Sequence, residues 1–171
     1  MAYAAPTLLE EAIETWGFTR DGVISEAEII AEDRFDWRPA PGARSVAELL
    51  QHIIESGLMA AGELTRPDGD FQRTDFGAMM REYTAGVTGV TEKGPLIALL
   101  RASFDEGVRA FRDAGEIAAL QRIRRFDGKY STRLAWLWHA VDHESYHRGQ
   151  LALYNRVMGS VPALTRLIQG G

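Results

Sequence analysis

The sequence predicts an all-α protein, a four-helix bundle with a short C-terminal helix. Two observations predict this fold. Four long segments carry apolar residues at spacings of three and four, and clusters of Gly, Pro and Asp separate these segments. The chain contains no internal repeat and no low-complexity tract. Since the connections between the segments are long enough for the helices to pack antiparallel, a bundle is favoured over an extended array.

The first helix is predicted over about residues 7–32, where apolar side chains recur along one face. Residues 35–42 cannot continue it, because Pro39 and Pro41 lack amide hydrogens and restrict the residues before them. A second helix is predicted from Ser45, with Glu48 three positions later as the partner in a capping box. We expect this helix to end near Leu64.

Residues 65–94 are rich in Gly, Thr and Asp and predict a loop, with one short helix over about residues 76–83. A third helix is predicted to start at Pro95, a residue that favours the first turn, and to end near Gly115. Residues 65–94 thus separate the second and third long helices.

The fourth helix follows a predicted turn at residues 126–129. Ser131 or Thr132 is expected to cap its N-terminus, and Gly159 is expected to end it after about Met158. The tail, residues 161–171, is predicted to form the short helix that docks on the bundle.

Length and composition predict one domain over residues 1–171. An apolar content of 46% in 171 residues is enough for one core.

Cysteine is absent, which excludes disulfides, thiolate metal sites and a cysteine nucleophile from this chain. Any thiol chemistry would therefore need an external thiol.

Charge and hydropathy exclude several classes of partner. The formal net charge is −5 with acids and bases interspersed, so no basic stripe favours nucleic acid. The N-terminus, from Met1 to Leu9, lacks the basic and apolar regions of a secretory signal. No stretch approaches the roughly 20 apolar residues that span a bilayer. We expect a cytoplasmic protein with neither nucleic acid nor membrane as partner.

The histidines carry the functional signal. Of four histidines, three lie in the predicted fourth helix, at positions 139, 143 and 147. Residues four apart emerge on one helix face, so His143 and His147 can chelate one ion. Both lie on the seam that should face the core, where an unpaired polar group costs stability that metal ligation would restore. His52 lies beside the inward face of the second helix, and we predict one divalent transition metal bound by His52, His143 and His147.

Other polar and aromatic residues near these histidines are weaker candidates. His139 flanks the seam and is expected to line a pocket or support the ligands. Trp136, Trp138, Tyr146 and Tyr154 can line a pocket, although aromatic residues at helical spacing usually form plain core. The sequence contains no His-Glu-x-x-His motif, which disfavours a thermolysin-like peptidase. The remaining expectations are a solvent-facing Asp142 and Glu144, a surface or ion-pairing Arg148, and close helix packing at Gly149.

Three hypotheses can explain the three histidines. In the first, the protein is a metal-dependent enzyme. In the second, it is a non-catalytic stress or scaffold protein whose ion holds two helices together. In the third, the bundle has no metal, and His143 and His147 bond to buried Glu or Tyr groups.

The sequence resembles the DinB and YfiT-like superfamily of metalloenzymes. The resemblance rests on Trp37-Arg-Pro-Ala-Pro-Gly followed by Ser45-Val-Ala-Glu-Leu-Leu-Gln-His52, and on His143-Glu-Ser-Tyr-His-Arg-Gly-Gln150 with the trailing Leu-Ala-Leu-Tyr. It implies an up-down-down-up four-helix bundle, frequent homodimers, and metal binding by the three histidines that match the family's ligands: His52, His143 and His147.

The resemblance also implies a class of chemistry. Three imidazoles on zinc or nickel leave at least one position for water or substrate, as in catalytic sites. Relatives include transferases and isomerases that use low-molecular-weight thiols such as mycothiol or bacillithiol, and suspected hydrolases. We expect a small-molecule substrate, with a thiol S-transferase ahead of a hydrolase because no obvious general base accompanies the histidines. His139 and Tyr146 are the candidates for catalytic proton transfer.

Overall fold

The computed structural model describes residues 6–170 and is mostly helical, with one small hairpin. Four helices are long, and the other elements are short and lie in the connections and the tail. A 3-10 turn, Glu32–Arg34, lies in the first connection. The elements are α1 (Leu8–Ile29), α2 (Val46–Thr65), α3 (Phe76–Thr84), α4 (Lys93–Leu120), β1 (Arg122–Arg124), β2 (Tyr130–Thr132), α5 (Arg133–Val157) and α6 (Ala163–Gln169).

Contacts between the long helices define their directions. α1 and α5 run in parallel, since Trp16 bonds to Glu144 and, ten residues later, the Glu26 carbonyl and carboxylate bond to Asn155. α2 and α5 run in opposite directions, because Arg133 at the start of α5 donates to the carbonyl of Leu64 at the end of α2. α4 runs opposite to α1, where it pairs Arg112 with Glu10 and Arg101 with Glu28. α2 and α4 are therefore parallel, and the long connection containing α3 joins them.

The core consists of two apolar clusters along the helices. One includes Leu9, Trp16, Phe111 and Leu137, and the other includes Ile30, Leu50, Leu100 and Leu151. Polar side chains occupy the layer between them. A buried polar layer costs stability unless its groups find partners, so these residues are where function is expected. The layer contains Arg20, His52, Ser103, His143, Glu144 and His147.

Local sequence signals explain most helix ends. Ser45 and Glu48 form the predicted capping box, and Thr132 rather than Ser131 caps α5. α1 ends at Ile29, three residues earlier than expected, because Ile30 adopts an extended conformation before the 3-10 turn.

The expectation of a purely α-helical chain is wrong at residues 122–132. β1 and β2 pair antiparallel around the predicted turn, in which Gly128 has φ of 80°. Ile123 is 1% exposed and anchors the hairpin in the core. Three-residue strands are too short to leave a period in the sequence. Before the hairpin, α4 continues past the predicted end at Gly115, which has φ of 82° and breaks the helix geometry locally, to Leu120.

Among residues 6–170, no helix is both long and apolar enough to cross a membrane. Part of the segment examined for a secretory signal, residues 1–5, lies outside the described residues.

Candidate metal centre

The histidines of α2 and α5 meet in the polar layer. The Nε2 atom of His143 lies 3.2 Å from Nε2 of His52 and 3.1 Å from Nε2 of His147. One ring nitrogen from each residue lies within 4.8 Å of the others. The antiparallel packing of α2 on α5 brings His52 to the predicted pair, which has helical i, i+4 spacing. We call these three residues the histidine triad.

The protons available to the triad cannot satisfy its contacts. The Nδ1–H of His147 donates to Oε1 of Gln150 at 2.7 Å, which leaves Nε2 of a neutral His147 with a lone pair. If Nε2 of His143 is protonated, its one hydrogen can be donated to His52 or to His147 but not to both. If it is not protonated, its lone pair faces the lone pair of His147. In each case at least one of the two close contacts is not a hydrogen bond, whereas a cation at the centre would accept the lone pairs of all three nitrogens.

The ordinary charge state of the triad is neutral at pH 7. The pKa of His52 is lowered to about 4, first by burial and then by the positive charges of Arg44, His147 and His143. Burial is also the largest cause that lowers the pKa of His143 and of His147. Neutral imidazoles are the form that ligates metals, so protons compete little for these nitrogens near neutrality.

The donor set fits a divalent transition metal. Two nitrogens that share a tetrahedral zinc at roughly 2.0–2.1 Å lie about 3.3 Å apart, close to the two short contacts in the triad. Gln150 orients His147 through the nitrogen that does not face the others, as second hydrogen-bond partners do at metal sites. Among residues 6–170, neither a Glu nor a Tyr bonds to the triad's ring nitrogens, so the partners proposed in the metal-free hypothesis are missing there. Three histidines could therefore hold one metal ion.

Glu144 is a correction to the sequence analysis. It does not face solvent but is 3% exposed, and its carboxylate accepts hydrogen bonds from Arg20 and from Nε1 of Trp16. Arg20 is 1% exposed and also donates to the Leu100 carbonyl and the Ser103 hydroxyl. The reason is that α5 is covered on two sides, by α2 and by α1, so both His143 and Glu144 are enclosed.

A sequence signal for this ion pair existed. Arg20 lies four residues after Trp16 and three before Val23, on the buried stripe of α1. An arginine in an apolar stripe needs an acidic partner, and only the packing of α1 on α5 identifies Glu144 as that partner. The role of Gln150 was missed in the same way, although it lies one turn after His147 on the predicted seam.

A cavity of about 190 Å³ adjoins the triad, and His52, His143 and Glu144 form part of its wall. Most of the remaining wall is apolar. Its buried end is formed by Trp16, Phe111 and Leu137 and its exposed end by Phe76, Phe126 and His139. The triad thus borders a partly enclosed and mostly apolar cavity that opens to the surface at one end.

The two candidates for proton transfer differ in position. His139 lines the cavity one turn before His143, and its ring centroid lies 4.6 Å from that of Trp136. Tyr146 is 65% exposed and does not line the cavity, although its ring lies 5.1 Å from that of His147. The geometry therefore favours His139 over Tyr146 as a group that could reach a bound molecule.

The other predicted residues have various positions. Trp136 lines the cavity, whereas Trp138 is 41% exposed and does not. Tyr154 is buried and donates its hydroxyl hydrogen to the Arg44 carbonyl. The close packing expected at Gly149 is wrong, because this residue is exposed and has no side chain near the position of a Cβ atom. Asp142 is exposed, and the guanidinium of Arg148 lies over the ring of Phe18.

Comparisons with known proteins agree with this architecture. The family model described as the DinB superfamily matches residues 15–151. The uncharacterized protein YjoA of Bacillus subtilis is 27% identical over 140 residues, which are 78% of this chain and 79% of YjoA. A crystal structure of the DinB-like YjoA from Bacillus subtilis has a TM-score of 0.67 at 25% identity and covers 88% of this chain and 93% of that one.

A second solved structure shares the fold at low sequence similarity. It is a mycothiol-dependent maleylpyruvate isomerase, with a TM-score of 0.67 and 15% identity. The match covers 86% of this chain and 63% of the isomerase.

Proposed function

Because this chain belongs to the DinB superfamily, we propose that it is a metal-dependent enzyme in which His52, His143 and His147 hold one divalent transition metal ion, zinc or nickel. The observation that carries the proposal is the convergence of three neutral imidazoles with contacts that protons cannot satisfy. Metal ligation satisfies all of them at once.

The position of the triad favours catalysis over a purely structural role. Three protein ligands are the number typical of catalytic zinc sites, whereas structural zinc sites use four. When bound, such an ion has at least one position free for a ligand and lowers the pKa of a water or thiol held there. His52 and His143 belong both to the triad and to the cavity wall, so a molecule in the cavity reaches the ligands.

Residues of this chain would orient the metal ligands, keep water from the substrate and transfer a proton. Gln150 holds the His147 ring in one tautomer. The apolar wall of the cavity keeps bulk water from a bound substrate, which strengthens the electrostatic interactions inside. His139 lies in the cavity wall and is the group that we propose to transfer a proton. Tyr146, directed to the exposed surface, is the weaker candidate.

Among reactions, we propose thiol S-transfer ahead of hydrolysis. Glu144 is the sole carboxylate among the described residues that line the cavity, and its oxygens already accept bonds from Arg20 and Trp16. It is therefore unsuited to activate a water molecule as a general base. The thiol would be a low-molecular-weight cosubstrate, since the chain contains no cysteine. The thiol-dependent isomerase with the same fold supports this choice by its fold alone.

We further propose the order of the helices in the bundle, the extent of the domain, the oligomeric state and the location of the protein. The helix directions support an up-down-down-up four-helix bundle, with residues 1–171 as one domain. A homodimer in the cytoplasm remains our expectation. Exposed apolar side chains on α5 and α6, among them Val157, Leu167 and Ile168, support a self-association surface.

Elemental analysis tests the metal proposal. Protein purified without a His-tag is expected to hold near-stoichiometric zinc or nickel, which His143→Ala loses. His139→Ala is the matched control, since His139 lies one turn away outside the triad, and it should retain the metal. If wild type holds no metal after purification from metal-supplemented medium, or if both variants lose it equally, the proposal is wrong.

The same preparations test the reaction. Loss of free thiol in the presence of an electrophile, dependent on the bound metal, would support S-transfer. Metal-dependent hydrolysis of esters or amides without a thiol would favour the hydrolase. A tightly held metal with neither activity would support the hypothesis of a non-catalytic protein whose ion joins α2 and α5.

A further inference from the structure

We infer that the cavity beside the triad is a binding site for a single neutral aromatic ring, and that the substrate carries such a ring next to its reacting group. The assignment of the ring to a substrate rests on the proposed function. The binding of a ring to the cavity does not.

The cavity wall is unusually rich in aromatic side chains. Two come from the helices at its buried end, and four come from the connections and from α5. Phe71 lies with its ring centroid 4.6 Å from that of Phe126 and 5.0 Å from that of Trp136. Aromatic rings gain from edge-to-face and offset contacts beyond the area that they bury, so this wall favours a planar ring over an aliphatic group. The six aromatic residues are Trp16, Phe71, Phe76, Phe111, Phe126 and Trp136.

The volume of the cavity limits the size of the ligand. At about 190 Å³ it is slightly larger than an engineered apolar cavity of roughly 150 Å³ that binds benzene. It therefore has space for one ring with a short substituent.

The polar groups of the wall come from two of the helices, α2 and α5, which orients the ligand. They are His52, Ser56, His139, His143 and Glu144. Arg20 already compensates the charge of Glu144, so the wall presents no free charge that would pair with an ionised ring. A ring against the aromatic wall would direct its substituent toward the histidines. The reacting atom should thus be one or two bonds from the ring.

The aromatic wall is held in place before a ligand binds. The Phe71 amide donates to the carbonyl of Arg124 in the hairpin, and Gln72 donates to the Phe126 carbonyl. Arg124 also pairs with Asp70, whose amide donates to the fully buried Glu63. A preformed wall loses little conformational entropy on binding, which favours small ligands.

Titration with benzyl alcohol tests the inference in metal-free protein. Trp16 and Trp136 line the cavity, so tryptophan fluorescence should report binding, and calorimetry should give its affinity. Ala140→Leu places a larger side chain in the cavity wall. Ala135→Leu makes the same change at an exposed position of α5 that does not line the cavity. We expect wild type and Ala135→Leu to bind alike and Ala140→Leu to bind at least about tenfold more weakly.

Two results would overturn the inference: absence of binding to wild type at millimolar benzyl alcohol, or equal binding by all three proteins. Cyclohexylmethanol, a non-planar ligand of similar size, should bind more weakly than benzyl alcohol, and equal or tighter binding would also contradict a site for aromatic rings. Metal content is measured separately on each preparation. A protein that binds benzyl alcohol but never holds metal would retain the aromatic site and lose the proposed enzyme function.

Discussion

Two polar clusters, one buried and one half-buried, lie on adjacent sides of α5 and differ in how their hydrogen-bonding groups are satisfied. Toward α1, Glu144 meets Arg20 and Trp16, and every nitrogen of the guanidinium has an acceptor. Toward α2, His143 meets His52 and His147, and three basic nitrogens face one another. The two clusters are built around consecutive residues of one helix.

The difference separates a structural cluster from a ligand site. Arg20 and Glu144 carry opposite charges that compensate each other, so the pair has no need of a further ligand. The triad consists of bases without an acid, and protonation would add like charges to it. A cluster of bases that has no acidic partner could hold a metal ion. The following changes should affect one cluster without the other.

The largest effect is expected from Arg20→Met. It leaves the Glu144 carboxylate buried without a counter-charge, which costs about 3–5 kcal/mol of the free energy of unfolding. Arg101→Met is the matched control. Arg101 of α4 likewise forms an ion pair between two helices, with Glu28 of α1, but both partners are more than half exposed. The control should lose less than about 1 kcal/mol in urea unfolding. A loss of similar size in both variants would contradict the structural role of the Arg20–Glu144 pair.

An intermediate effect is expected from Gln150→Leu on the triad. The His147 ring then loses the partner of its Nδ1–H, and metal affinity should fall about 10–100-fold, as for other residues that orient ligands. Gln51→Leu removes an amide next to His52 that bonds to the Val87 carbonyl and not to the triad, and it should leave affinity unchanged. Competition with a chromophoric chelator measures both. Equal affinity of Gln150→Leu and wild type would remove Gln150 from the site.

The smallest effect is a pH dependence of the metal-free protein. The folded pKa of His52, about 4, lies below the ordinary 6.5, so the unfolded chain takes up the proton first. Stability should therefore be unaffected above pH 6.5 and decline as pH falls from there toward about 4, the same direction as for His143 and His147.

Urea unfolding in chelator at about pH 7.5 and about pH 5 measures this decline. His52→Asn should lose less stability than wild type on acidification. His139→Asn removes only one of the smaller causes that lower the pKa of His143, and it should stay closer to wild type. A steeper decline in His52→Asn would contradict a neutral imidazole at this position.

Local signals determined most of the fold. Ser45 and Glu48 mark the start of α2, and the i, i+4 spacing of His143 and His147 places both on one face, because these features depend only on residues within one turn. The two histidine motifs likewise predicted which residues come together. The strands β1 and β2 escaped prediction because three residues are too few to show a period.

The sequence by itself determined the four long helices, the capping box of α2 and the three histidines of the candidate site. Only the tertiary structure decided that Glu144 pairs with Arg20, that Gln150 orients His147, and that side chains from α1, α4 and two connections enclose a cavity beside them. The physical reason is range. A helix end or a helix face follows from neighbours along the chain, whereas a buried charge pair and a cavity depend on residues more than a hundred positions apart, and the packing of whole helices selects them.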